Sequence, residues 1–270
     1  MSESRKTLVV ERPEEFWQVG TRRGFLKMLG LGGTVLLLPT VFEACKDSTR
    51  PPPRNGVSLD LSTDTGILNY AYALEQLEAA FYTAVVASGP FSSFNAEQQE
   101  VFTDLRNHEV IHREFLRRAL GNNAIGTLAL NQSTVATAIA STASILKNAE
   151  AFEDLGVSAY NGAGKYLTSA TNLTVAGKIV SVEARHAAAI RDIRDAMGVT
   201  GGTAAGTRFA GDDVVQPSGT YQGLDVKLEP SAVLTRVAAT NFVSTKISIG
   251  TQPPANKTGT PDAGPPNPTP

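Results

Sequence analysis

The distribution of proline constrains this chain more than any other feature. Seven of its 15 prolines lie in the last twenty residues, and three more are consecutive at 51–53. Between Thr63 and Thr200 there is only Pro90, in a stretch rich in alanine and leucine. Because proline disrupts helix interiors and alanine and leucine favour helices, this stretch predicts an all-α domain. The proline-rich end predicts a disordered tail over 251–270.

Charge and cysteine content exclude several classes of protein. The chain has 24 Lys and Arg against 26 Asp and Glu, a net charge of −2, and so offers no basic field for nucleic acid. Its single cysteine excludes an intramolecular disulfide framework and a cysteine-rich zinc or iron–sulfur site. A hydrophobic content of 41% is sufficient for a core. We therefore expect a folded domain without a nucleic-acid partner.

Residues 1–44 predict an export signal. The segment 21–27 (TRRGFLK) resembles the twin-arginine signal, and about 14 mostly apolar residues follow it. This apolar run is shorter than the roughly 20 residues of a transmembrane helix, and Pro39 interrupts it. The alternative is a chance Arg-Arg pair before a buried helix. We expect the twin-arginine machinery to export the protein to the periplasm or cell envelope.

The lone cysteine follows the apolar run in Phe42-Glu43-Ala44-Cys45. A small residue before a cysteine at this place resembles a bacterial lipoprotein cleavage site, although Phe42 and Glu43 depart from the usual residues. Lipidation of Cys45 would anchor the protein to a membrane through the linker 45–62. The alternatives are ordinary cleavage nearby or an inert thiol.

Four long helices are predicted within 63–200. Their limits are about Asp64–Ala87, Asn95 as N-cap to Leu120, Ser141–Leu167, and Asn172 or Thr174 to Met197. Connections of about eight and six residues pair the first helix with the second and the third with the fourth. About twenty residues separate helices two and three. Two antiparallel pairs joined by a long crossover form the topology of a ferritin-like four-helix bundle.

The C-terminal part predicts an irregular extension. Residues 201–228 are rich in glycine and threonine and are expected to wrap the outside of the bundle. A short fifth helix is expected from Glu229-Pro230-Ser231 to Thr240, since proline favours the first turn of a helix. The extension as a whole covers 201–250.

Two Glu-x-x-His pairs lie on separate predicted helices. The first is part of His108-Glu109-Val110-Ile111-His112, the HExxH string of zinc peptidases. The second is Glu183-Ala184-Arg185-His186. Residues three apart lie about 60° apart on a helix, so Glu and His can point at one metal ion. One such pair is usually solvated surface, and a zinc peptidase of His108, Glu109 and His112 would leave the second pair unexplained.

The other two long helices each carry Glu followed seven residues later by Tyr. These pairs are Glu75 with Tyr82 and Glu153 with Tyr160. Seven residues turn a helix by about 700°, close to two full turns, so each pair shares one helix face. The Glu-x-x-His motif starts 34 residues after the first Glu in one half and 30 in the other. This internal repeat predicts a site with pseudo-twofold symmetry.

The motifs resemble the ferritin-like di-metal carboxylate superfamily and, within it, an exported bacterial group related to plant desiccation-related proteins. The segments 74–82 (LEQLEAAFY) and 151–160 (AFEDLGVSAY) carry the likeness to that group, and the resemblance covers about 64–197. It implies one Glu from each of two helices and a Glu-x-x-His from each of the others as metal ligands. On this sequence those positions are Glu75, Glu109, His112, Glu153, Glu183 and His186.

Four further residues have open roles. Glu75 is favoured as the ligand on its helix, and Glu78, about 60° from it, is the alternative or an additional ligand. His108 is expected behind the ligands or at the surface. Tyr82 and Tyr160 are interpreted either as core aromatics with bonded hydroxyls or as catalytic groups, relaying electrons or donating beside the metal.

Charge balance supports two divalent cations. Four inward-facing carboxylates carry −4, which is prohibitive in a core unless +4 is supplied. Mixed carboxylate and imidazole ligands suit iron or manganese, and the spacing does not choose between them. The leading hypothesis is a stress-protective oxidoreductase acting on ferrous iron, oxygen or peroxide as a ferroxidase, peroxidase or manganese-catalase-like enzyme. The alternative is a non-enzymatic metal-binding or structural envelope protein, and homo-oligomer formation stays open.

Overall fold

Four long helices make up most of the part of the chain that the computed structural model describes, namely 56–199, 214–215 and 222–253. In chain order the elements are β1 (Val57–Asp60), α1 (Asp64–Val86), α2 (Ala96–Leu120), α3 (Gln132–Ala138), α4 (Thr142–Ala163), α5 (Ala170–Ala196), α6 (Pro230–Thr240) and β2 (Ile247–Thr251). α1 packs most extensively against α2, and α4 against α5; the two pairs meet through α1 with α4 and α2 with α5. This arrangement confirms the prediction of an all-α bundle.

The crossover between α2 and α4 contains the short helix α3, which the sequence did not predict. Two polar side chains of α1 hold this segment by bonding to its backbone. Leu128 N donates to Gln76 Oε1 at 2.8 Å, and Ile125 N donates to Asn69 Oδ1 at 2.8 Å. The crossover therefore lies against α1 although it has little regular structure of its own.

Side-chain caps begin the long helices. Asn95 caps α2 as predicted. It also forms a capping box with Gln98, which satisfies free N–H groups at the start of the helix. The fourth long helix was predicted to begin at Asn172 or Thr174, but it begins at Ala170 with Ser169 as cap. The reason is tertiary: Asp64 of α1 accepts hydrogen bonds from the backbone of Thr168 and Ser169. The third long helix also ends earlier than predicted, because a 3-10 turn over Gly164–Tyr166 follows it.

A two-stranded parallel sheet lies in segments that the sequence predicted as a linker and as an irregular extension, and its last residue, Thr251, belongs to the predicted disordered tail. β1 pairs with β2, placing Val57 opposite Ile247 and Leu59 opposite Ile249. Leu59 is 2% exposed and belongs to the main core cluster. The short helix α6 occupies the predicted position. No helix in the described ranges combines the length and the apolar character needed to span a membrane.

The buried apolar residues of the described ranges form two clusters. The larger one contains the aromatic side chains Phe81, Tyr82, Phe94, Phe102, Phe152 and Phe242. The smaller one is built around Tyr72, Leu116, Tyr160 and Ile179, with the small residues Ala71 and Ala176. The predicted signal 1–44 and Cys45 lie outside the described residues, as do most of the predicted wrap and all of the tail beyond residue 253.

Candidate metal centre

Four carboxylates from four different helices are fully buried in the bundle. Glu75 comes from α1, Glu109 from α2, Glu153 from α4 and Glu183 from α5, and each is 0% exposed. Removing an unpaired carboxylate from water costs several kcal/mol, so four together require compensating positive charge. Each of these residues is one of the carboxylates that the Glu-x-x-His and Glu-to-Tyr spacings placed on a shared helix face.

The first imidazole lies among three of these carboxylates. His112 Nδ1 is 2.9 Å from Glu183 Oε1, 3.5 Å from Glu75 Oε2 and 3.6 Å from Glu109 Oε2. Its side chain is 12% exposed. These ligand atoms form one group in which all lie within 4.8 Å of one another.

The second imidazole repeats this arrangement in the other half of the bundle. His186 Nδ1 is 2.9 Å from Glu109 Oε1, 3.3 Å from Glu153 Oε2 and 3.3 Å from Glu183 Oε2. These atoms form the second group that could hold a metal ion. Glu109 and Glu183 belong to both groups, and each presents one oxygen to each imidazole. The two groups are therefore adjacent and share two carboxylates.

The two tyrosines connect the halves of the site. Tyr82 of α1 donates to Glu153 Oε1 of α4 at 2.5 Å, and Tyr160 of α4 donates to Glu75 Oε1 of α1 at 2.5 Å. The sequence placed each Tyr on the face of the Glu in its own helix, but the structure pairs it with the Glu of the opposite helix. Each of these Glu residues is left with one oxygen, Oε2, for the centre.

The atoms that face the centre fit metal ligation. Glu75 Oε2, Glu153 Oε2, both oxygens of Glu109 and Glu183, and both imidazole Nδ1 atoms are buried and have no hydrogen-bond partner in the described parts of the chain. The short contacts between them lack the angles of hydrogen bonds, so the atoms are aimed at shared points rather than at one another. Unpartnered buried polar atoms are rare in proteins, and a carboxylate–imidazole set suits iron or manganese.

Protonation of the metal-free site follows from burial and mutual contact. Burial, together with Glu183 and Glu75, raises the pKa of Glu109 well above its ordinary range. Burial also raises the pKa of Glu153, to about 7, against the opposing effect of His186. Burial opposes charge on His186, but Glu153 and its other carboxylate neighbours outweigh it and raise the pKa to about 12. For Glu183 the contacts with His112 and His186 outweigh burial and lower the pKa to about 2. Without metal, protonated imidazoles supply part of the missing positive charge.

Glu78 lies near the centre but outside both groups of ligand atoms. It is 3% exposed, and its Oε1 would be 3.0 Å from a Cβ built on Gly156, so Gly156 leaves room for it. Burial raises the pKa of Glu78 well above its ordinary range, and Glu109 and Glu183 raise it further. Glu78 is therefore a buried carboxyl beside the centre that belongs to neither described group of ligand atoms.

His108 is exposed and lies outside both groups. Its Nδ1 is 3.0 Å from Nε2 of His186, and the two rings are stacked at 5.2 Å with an interplanar angle of 6°. The carboxylates that raise the pKa of His186 to about 12 keep both of its ring nitrogens protonated, so Nε2 donates to Nδ1 of His108. The HExxH interpretation needs both of its histidines on one metal, whereas the structure brings Glu109 and His112 into the centre and leaves His108 behind His186.

Sequence reasoning missed a second buried charged cluster, between α4 and α5. Arg194 contacts Glu150 and Arg191 contacts Asp154, and Arg191 is 1% exposed. The signal was present as acidic residues four apart on one helix and basic residues three apart on its partner. A spacing of this kind also occurs on solvated surfaces, so it did not identify burial.

Comparison with known proteins agrees with the geometry. A sequence model of the ferritin-like domain family matches residues 63–196, which contain all four long helices and every ligand candidate. None of the curated proteins compared with the chain matches it. The chain belongs to the ferritin-like superfamily.

Proposed function

We propose that the protein binds two divalent metal ions, iron or manganese, and uses them in oxidoreductase chemistry with oxygen or peroxide. The observation that supports this proposal is the pair of adjacent ligand groups that share Glu109 and Glu183. Four buried carboxylates carry −4, and two divalent ions would balance that charge in a low-dielectric interior. The superfamily's site has the same composition, one Glu from each of two helices and a Glu-x-x-His from each of the others.

The position of each ligand indicates which of the two ions it would hold. Glu75 with His112 would hold one ion and Glu153 with His186 the other, while Glu109 and Glu183 would contact both. Two such ions, when bound, can deliver electrons to one molecule of oxygen or peroxide at open coordination positions.

The two tyrosines would orient the unshared carboxylates. Burial, followed by the neighbouring Glu153 and Glu75 respectively, raises the pKa of both Tyr82 and Tyr160 well above the ordinary value. Their hydroxyls therefore remain protonated and keep donating to the outer oxygens of those carboxylates. Orienting ligands in this way is a role that outer residues of metal sites commonly have.

Metal content after anaerobic reconstitution with ferrous or manganous ion tests the proposal. We expect about two ions per chain, and fewer in His186→Ala, measured by mass spectrometry of the metal. Arg185→Ala is the matched control, because Arg185 is the exposed neighbour of His186 on α5. Full loading of His186→Ala, or a single zinc ion that depends on His108, would contradict the two-ion site.

Reaction with oxygen and with hydrogen peroxide then separates the enzymatic proposal from its alternative. An oxidoreductase should consume one of these oxidants with turnover that depends on the bound metal. Stoichiometric metal binding without any reaction with either oxidant would instead support a non-enzymatic metal-binding protein of the cell envelope.

The proposal includes export by the twin-arginine pathway and a lipid anchor at Cys45, both supported by sequence motifs alone. Residues 1–47 fused to a folded reporter should direct it across the inner membrane, and replacing Arg22 and Arg23 with Lys should retain it in the cytoplasm. Cys45→Ala should release the exported protein from the membrane. Unchanged export of the double-lysine variant would exclude the twin-arginine route.

A further inference from the structure

An apolar cavity of about 20 Å³ lies beside the proposed metal centre. Residues of all four long helices line it, among them Leu74, Leu116, Tyr160, Ala163, Ala176 and Ile179. Its surface is almost entirely apolar. A cavity of this size exceeds the roughly 10–15 Å³ that one water-sized molecule needs, but a cavity without polar partners stays dry and favours small apolar ligands.

The cavity extends from the protein surface towards a ligand of the centre. At one side it is lined by the half-buried residues Leu167 and Val175. At the inner side it is lined by Tyr160, whose hydroxyl donates to Glu75. One hydrogen-bonded side chain thus separates the cavity from a carboxylate of the ligand set.

The internal repeat explains how space arises beside Tyr160. Phe102 lies seven residues before Glu109, and Ala176 lies seven residues before Glu183. In the same way Val85 lies ten residues after Glu75, and Ala163 lies ten residues after Glu153. At both positions the first half carries a large side chain where the second half carries alanine.

Aromatic side chains fill the corresponding space around Tyr82. The ring of Phe81 lies 5.1 Å from that of Tyr82, and the ring of Phe102 lies 6.3 Å from it. Phe94 packs behind Phe102 at 4.7 Å. The space next to Tyr160 is therefore produced by two alanines at repeat positions that are filled in the other half.

We propose that this cavity binds dioxygen and supplies it to the metal centre from the Tyr160 side. The inference rests on the proposed function and narrows its oxidant. Dioxygen is small and apolar and needs no hydrogen bond, whereas hydrogen peroxide would lose its hydrogen bonds to water in a cavity that offers no replacement. The site is thus a gas-binding site that selects oxygen over peroxide.

Xenon binding tests the cavity independently of any metal. We expect xenon beside Tyr160 in pressurised crystals of the full chain, and its loss in Ala176→Phe and in the milder variant Ala163→Val. The first variant introduces the residue of the repeat partner, and the second keeps the test valid if the larger side chain prevents folding. Ala119→Val is the control, because Ala119 is exposed on α2.

Stopped-flow oxidation of the ferrous-loaded protein tests the route. Both filled variants should load iron like the unaltered protein, should react with dioxygen at least several-fold more slowly, and should react with hydrogen peroxide at an unchanged rate. Absence of xenon from the unaltered protein, or an unchanged oxygen rate in both filled variants, would overturn the inference and leave the metal site intact. Failure to load iron at all would instead refute the proposed function, and the xenon experiment would still decide whether the cavity binds apolar gas.

Discussion

The two halves of the bundle carry the same ligand candidates in different surroundings. α1 and α2 supply Glu75, Glu109 and His112, and α4 and α5 supply Glu153, Glu183 and His186 at matching repeat positions. Around Tyr82 the first half is packed with phenylalanine, whereas around Tyr160 the second half has alanines and a cavity. A metal centre constrains the ligand positions in both halves alike, whereas the packing beyond those ligands differs between the halves.

Removing a carboxylate that belongs to both ligand groups should have the largest effect on the number of bound ions. Glu109 contributes an oxygen to each ligand group, whereas Glu75 contributes to one only. We expect Glu109→Ala to lose both ions and Glu75→Ala to lose about one, as measured by metal analysis after reconstitution. Equal loss in the two variants would show that the halves do not share ligands as the geometry indicates.

Replacing Phe102 with alanine should make the surroundings of Tyr82 resemble those of Tyr160. Phe102 is 0% exposed, and Phe102→Ala should lower the free energy of unfolding by about 3–5 kcal/mol because it removes a buried ring and leaves a cavity. Urea unfolding measures the loss, and xenon should then bind beside Tyr82 as well. Destabilisation by less than about 1 kcal/mol would mean that neighbouring side chains fill the space left by Phe102. Alanine at this repeat position would then not be sufficient to produce a cavity.

Metal should stabilise the folded protein by filling both halves. Binding to the folded state alone adds about 2.7 kcal/mol when free metal is at 100 times its Kd. Replacing Glu75 and Glu153 together with Gln should stabilise the metal-free form, since two of the four charges disappear, and should abolish most of the gain from metal. Identical melting with and without metal in the unaltered protein would contradict a buried charged centre.

The pH dependence of the metal-free protein should reveal the cost of burying Glu153 in its charged form. Burial raises the pKa of Glu153 to about 7, so its proton stabilises the folded state at pH values below the ordinary carboxyl pKa. That contribution is lost as pH rises through about 7, and stability should fall between pH 5 and 7. Glu153→Gln should flatten this decline, whereas Glu97→Gln, a change at an exposed residue of α2, should leave it unchanged.

The smallest effect on metal binding is expected for replacement of His108, which contacts Nε2 of His186. His108→Ala removes the acceptor for Nε2 of His186 and should weaken metal binding in that half by about tenfold, the lower end for outer residues of metal sites. Titration calorimetry should resolve one weakened and one unchanged site. His108→Gln, which retains an acceptor, is expected to restore most of the affinity; equal weakening of both sites would point to a general change in the bundle.

Local signals predicted the helices well where those signals were strong. Asn95 followed by Gln98 forms a capping box within a few residues, and Pro230 begins α6 where proline is tolerated. The start of α5 was wrong by about one turn because Asp64, more than a hundred residues away, holds Thr168 and Ser169. The strand pair escaped prediction because β1 and β2 are short and each needs the other for its backbone hydrogen bonds.

The sequence by itself determined which side chains can meet, because helix periodicity places Glu and His three apart, and Glu and Tyr seven apart, on one face. It also predicted a metal site, since four inward carboxylates need compensating positive charge. Only the tertiary structure decided that Tyr82 bonds Glu153 and Tyr160 bonds Glu75. It likewise decided that Glu78 lies outside the described ligand groups and that alanines beside Tyr160 leave a cavity. These outcomes depend on how neighbouring helices pack, and a period along one helix carries no information about the side chains of the next.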